Sequence, residues 1–83
     1  MKPVWIVDDD QSIRFVLEKA LLREQLPTRS FSSAAEVLRA LAASDEPGPQ
    51  ILISDIRMPG ESGLELLEKV KARYPSLPVI IMT

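Results

Sequence analysis

The chain has 83 residues, ten basic against twelve acidic, a formal net charge of −2, 46% hydrophobic content, and neither cysteine nor histidine. That is one small soluble domain, burying roughly 60–65% of its unfolded surface, with no basic cluster to grip nucleic acid. Disulfides, thiolate metal sites, histidine triads and phosphohistidine are excluded within the chain, and a reducing, cytoplasmic setting is expected.

Val4-Trp5-Ile6-Val7 is a short apolar run that ends in Asp8-Asp9-Asp10. It reads as a buried parallel strand, and it is too short and too acidic to be a signal peptide or a membrane span. Ile13, Val16, Leu17, Ala20 and Leu21 then recur at helical spacing, which predicts an amphipathic helix started by Asp10 or Ser12 and stopped before Pro27. Thr28 to Phe31 is read as a second strand. Ser33-Ala34-Ala35-Glu36 has capping-box spacing, and Val37, Leu38, Leu41 and Ala42 supply the apolar stripe of a second helix. Asp45-Glu46-Pro47-Gly48-Pro49 forms a turn-rich loop before the third run, Ile51-Leu52-Ile53, which ends in Ser54-Asp55. Ser62-Gly63-Leu64-Glu65 repeats the capping-box spacing, with Leu64, Leu67 and Val70 expected to line the buried face of a third helix. Val79-Ile80-Ile81-Met82, ending in Thr83, is the fourth run.

The order β-α-β-α-β-α-β implies right-handed parallel crossovers and an α/β, flavodoxin-like, doubly wound sheet with strand order 2-1-3-4. Its switch point falls between the first and third strands, where ligands of such sheets bind beyond the carboxyl ends of the strands. Asp8, Asp9 and Asp55 are expected to meet there.

Three neighbouring carboxylates repel one another and call for a cation. All-oxygen ligation favours magnesium, manganese or calcium, and a small site with positions left to water and phosphate suits magnesium best. An aspartate on such a metal can attack a phosphoryl group, and Asp55 is the best nucleophile. Met58-Pro59-Gly60 supplies a sharp loop able to turn the Arg57 carbonyl toward the metal, and Gly63 permits close backbone approach. Asp10 is read mainly as a helix cap.

Val7-Asp8-Asp9-Asp10, Ser54-Asp55-Ile56-Arg57-Met58-Pro59-Gly60, Gly63 and Pro78 to Thr83 together resemble the receiver domain of bacterial two-component response regulators. The first strand with Ser12-Ile13-Arg14 and the Ser54-to-Gly60 stretch resembles, more narrowly, the nitrogen-regulation subfamily of sigma-54-dependent transcriptional activators. The resemblance implies that Asp55 accepts a phosphoryl group from a histidine of a sensor kinase, making this a switched regulatory domain rather than a general enzyme. Magnesium would be held by Asp9, Asp55 and the Arg57 carbonyl, with Asp8 acting through water, and Thr83 would be the switch hydroxyl. It also implies that residues 1–83 are the N-terminal part of a receiver domain. A further helix, a fifth strand carrying a lysine, a last helix, and the ATPase and DNA-binding domains of the parent protein would lie outside them.

Without a fifth strand, Val79 to Met82 is an apolar edge, and self-association or a homodimer is expected. Two other readings are carried: a receiver-like interaction module without phosphotransfer, and a haloacid-dehalogenase-like phosphohydrolase using Asp8 and Asp10.

Overall fold

The computed structural model describes residues 2–43, 48–58, 60 and 62–82. Seven elements alternate: β1 (Val4–Val7), α1 (Gln11–Arg23), β2 (Thr28–Phe31), α2 (Ala34–Ala42), β3 (Ile51–Asp55), α3 (Gly63–Arg73) and β4 (Val79–Met82). The strands form one parallel sheet in the order β2-β1-β3-β4. Both the element order and the strand order agree with the expectation from the sequence.

Each helix begins on a side-chain cap. The Asp10 carboxylate accepts the Ser12 amide at 2.8 Å, Ser33 Oγ accepts the Glu36 amide at 3.3 Å, and Ser62 Oγ accepts the Glu65 amide at 3.2 Å. The capping box of α2 is not closed on its own cap residue. The Glu36 carboxylate instead takes the amide and hydroxyl of Ser32, one residue earlier. Helix α1 ends in a Schellman motif, with Gln25 at φ 61° and the amides of Gln25 and Leu26 bonded to the Leu22 and Leu21 carbonyls.

The core lies between the sheet and helices α2 and α3. Trp5, Val7, Phe31 and Leu52 from the sheet meet Ala34, Val37, Leu66 and Val70, with Leu77 closing one end. Helix α3 corrects the expected stripe. Gly63, Leu66 and Val70 are its buried residues, while Leu64 is half exposed. The docking of Gly63 against β3 sets the helix phase, and 63, 66 and 70 follow from it at helical spacing.

Helix α1 differs more. Right-handed crossovers place it on the opposite face of the sheet, over β1 and β2. None of its residues is fully buried. Leu17 and Leu21 are half-buried, but Ala20 is exposed, Val16 is 61% exposed and Ile13 is 42% exposed. The apolar stripe is wider than the contact it makes, because the helix covers only the half of that face above β1 and β2. On the uncovered half, Ile53 is half-buried and Ile80 is 51% exposed. Among the described residues no helix is long and apolar enough to cross a membrane.

Candidate functional site

Parallel pairing fixes the site's position. Val7 is in register with both Phe31 and Ser54, so β1 and β3 end side by side. Asp8 follows the last residue of β1, and Asp55 is the last residue of β3. Both main chains are anchored: the Asp8 amide bonds to the Phe31 carbonyl at 3.1 Å, and the Ile56 amide to the Met82 carbonyl at 3.1 Å.

One carboxylate oxygen from each of Asp8, Asp9 and Asp55 lies within 4.8 Å of the other two. Asp8 is buried, Asp55 half-buried and Asp9 exposed, giving a site with a closed floor and an open mouth. Asp8, Asp9, Asp10, Ile13, Asp55 and Met82 line an open cavity of about 420 Å³. Beside it, Asp9, Ile56, Arg57, Met58 and Ser62 line another of about 390 Å³.

Burial pushes the Asp8 carboxyl above the ordinary value of 3.8, the Asp10 amide on its Oδ1 works against this, and the charges of Asp55 and Asp9 add to the rise. A divalent cation relieves both causes at once. The clustered oxygens, within 4.8 Å of one another, fit the all-oxygen ligand set of a magnesium ion.

The β3–α3 loop is shaped by Gly63. A Cβ there would stand 2.2 Å from the Asp55 carbonyl oxygen and 3.0 Å from the Ile56 Cα, and the Gly63 amide bonds to the Ile56 carbonyl at 2.9 Å. Gly60 has φ 85°, and Met58 packs against the core. Arg57 is exposed, and its amide reaches Asp55 Oδ1 at 3.4 Å. Pro59 and Thr83, assigned to loop geometry and to the switch hydroxyl, lie outside the described residues. Asp10 is engaged as the cap of α1 and is not one of the clustered carboxylates. The sequence reading missed Arg14, which points back from α1 onto the Asp8 carbonyl. A cation four residues after an acidic run, on the first turn of a helix, was the available signal.

Comparison with known proteins accounts for this arrangement. Residues 4–83 match the response regulator receiver domain model. The chain belongs to the receiver domain family. It is 58% identical over 80 residues to the DNA-binding transcriptional regulator NtrC of Escherichia coli strain K12, an alignment covering 96% of this chain and 16% of that protein. Among solved structures, the apo receiver domain of nitrogen regulatory protein C superimposes with a TM-score of 0.85 at 55% identity, covering 99% of this chain and 64% of that one. The response regulator TrrA from Thermotoga maritima, solved with Mg²⁺-BeF and also with histidine kinase ThkA, gives a TM-score of 0.89 in both cases, at 28% and 29% identity. The alignments cover 98% and 100% of this chain, and 68% and 69% of the other. This receiver domain is therefore NtrC-like and spans about one sixth of the length of the NtrC proteins it matches.

Proposed function

We propose that this receiver domain is the phosphoacceptor of a two-component system, taking a phosphoryl group on Asp55 from a histidine of a sensor kinase. The convergence of Asp8, Asp9 and Asp55 within 4.8 Å carries the reading, because a cluster so arranged is repulsive unless a cation occupies it. Asp9 and Asp55 would hold magnesium, Asp8 would contribute through water, and the Arg57 carbonyl would complete the protein's share. When bound, the ion neutralises charge on the equatorial oxygens of the phosphoryl group in transfer.

The chain's own residues do the rest. The backbone bonds of Asp8 and Ile56 fix the two strand ends, and Gly63 lets α3 approach so closely that the Asp55 carbonyl has little room to move. The Asp55 carboxylate attacks phosphorus in line, the bond from phosphorus to the kinase histidine nitrogen breaks, and that nitrogen leaves with the electron pair. Thr83 is assigned as the switch hydroxyl, and Met58, Pro59 and Gly60 as the loop beside the metal. Residues 1–83 would be the N-terminal part of the domain. The switch would control ATPase and DNA-binding domains of a cytoplasmic transcriptional activator of nitrogen metabolism. TrrA, solved both with Mg²⁺-BeF and with a histidine kinase, supports the same cofactor and partner class.

The phosphohydrolase reading falls with the family match and with the use of Asp10 as a cap. The test of the metal site is a magnesium titration followed by the fluorescence of Trp5, the single tryptophan. A saturating change that disappears in Asp9→Ala is expected. Its absence from the unmodified chain overturns the assignment.

A further inference from the structure

We propose that Arg14 is a positioning residue for the metal site, acting through the Asp8–Asp9 peptide unit. This rests on the magnesium site proposed above. Arg14 is half-buried on the first turn of α1, and its Nη1 donates to the main-chain carbonyl of Asp8 at 2.5 Å. That carbonyl belongs to the peptide linking the two neighbouring carboxylates of the cluster. Because a peptide unit is planar, holding its oxygen also fixes the direction in which the chain enters Asp9. A second clamp acts on the other side of the same residue, where Asp8 Oδ1 accepts the Asp10 amide at 2.8 Å. One clamp sets the Asp8 side chain and the other sets the peptide leading to Asp9. Asp9 itself is exposed, so its placement near Asp8 and Asp55 depends strongly on the backbone beneath it.

The guanidinium has two opposed effects on a cation. Its positive charge near the site repels magnesium, whereas its hydrogen bond preorganises two carboxylates for it. The two predict opposite outcomes when the side chain is removed. The hydrogen bond acts directly on the backbone that carries two of the clustered carboxylates, whereas the guanidinium charge is shared with the acidic run beside it and screened by water at the open mouth of the site. The proposal is that preorganisation outweighs repulsion, and the sign of the change in affinity decides it.

The experiment is a calorimetric magnesium titration of the unmodified chain, Arg14→Met and Arg14→Lys, with Lys19→Met as a control that removes a positive charge from the same helix. Arg14→Met should bind magnesium about three- to tenfold more weakly, and Arg14→Lys should recover to within about twofold of the unmodified chain. Lys19→Met should bind as the unmodified chain does or slightly more tightly. The Asp9 amide resonance should move in Arg14→Met before any magnesium is added. Separate Arg14 Nη resonances, the signature of hindered guanidinium rotation, should be visible in the unmodified chain and need no variant to fold. Magnesium binding in Arg14→Met as tight as, or tighter than, in the unmodified chain overturns the proposal, as does a freely rotating guanidinium. No magnesium heat from the unmodified chain overturns the metal site itself, and the two failures are thereby distinguished.

Discussion

Replacing Gly63 by alanine tests whether the site is held by backbone packing. The added Cβ would lie 2.2 Å from the Asp55 carbonyl oxygen, 3.0 Å from the Asp55 carbonyl carbon and 3.0 Å from the Ile56 Cα, whereas ordinary contact begins at 3.4 Å. All three neighbours are main chain, so no flexible side chain can give way. Helix α3 must retreat from β3 by about 1 Å, the difference between 2.2 Å and 3.4 Å less some local adjustment. Overpacking of this kind costs about 1–3 kcal/mol, and stretching the 2.9 Å bond from the Gly63 amide to the Ile56 carbonyl adds about 1 kcal/mol. The better helix propensity of alanine offsets less than about 1 kcal/mol. A net loss of about 2–3 kcal/mol is large for a chain whose total stability should be on the order of 4–12 kcal/mol. The melting temperature should fall by about 10–20 °C, and magnesium should bind more weakly, because the carbonyl under pressure belongs to Asp55 itself. Thermal melting and a magnesium titration of the same sample provide the assay. A melting temperature within about 3 °C of the unmodified chain, with unchanged magnesium affinity, would refute the reasoning.

Asp9 and Asp10 should separate cleanly. Asp10→Ala removes the cap on the Ser12 amide and should cost about 1 kcal/mol in urea unfolding while magnesium still binds, whereas Asp9→Ala should abolish magnesium binding at little cost in stability. The raised Asp8 pKa sets a pH dependence. The folded state holds this proton more tightly than the unfolded state, so the penalty for ionising Asp8 is absent below its unfolded value of 3.8 and grows until pH exceeds the folded value. Without metal, Asp8→Asn should thus gain stability over the unmodified chain as pH rises above 3.8, and a gain that shrinks with rising pH contradicts the assignment. Glu36, lowered by its bonds to the amide and hydroxyl of Ser32, acts with the opposite sign, losing its contribution as pH falls through its folded value. It is common to both proteins and cancels in the difference. Among the described residues strand β4 pairs with β3 alone and leaves Ile80 half exposed, so residues 1–83 taken by themselves should self-associate in sedimentation across a concentration series, and Ile80→Lys should suppress it. A single monomeric species at all concentrations for the unmodified chain would count against that.

The sheet was legible because its strands are short apolar runs ending in polar residues, and the connections allow only parallel crossovers. Asp8, Asp9 and Asp55 could be brought together from topology alone. The helix faces were less legible. Periodicity in α3 admits 64, 67 and 70 as readily as 63, 66 and 70, and the choice is made by a tertiary contact, the approach of Gly63 to Asp55. In α1 the apolar residues exceed what one helix over two strands can bury, so Val16 and Ile13 stay exposed although their spacing is that of a core face. Arg14 was hidden for another reason. Its partner is a main-chain carbonyl, so a cation following an acidic run signals only that a positive charge lies near, not which atom it holds.

The central claim is that Asp55 receives the phosphoryl group with magnesium held beside it. Incubating the chain with acetyl phosphate and magnesium, then locating the added mass by peptide mass spectrometry, tests this most directly. One phosphoryl group should appear on the peptide containing Asp55, should not form when magnesium is chelated beforehand, and should be absent from Asp55→Asn. A label that survives Asp55→Asn, or sits on the peptide containing Asp8, would contradict it.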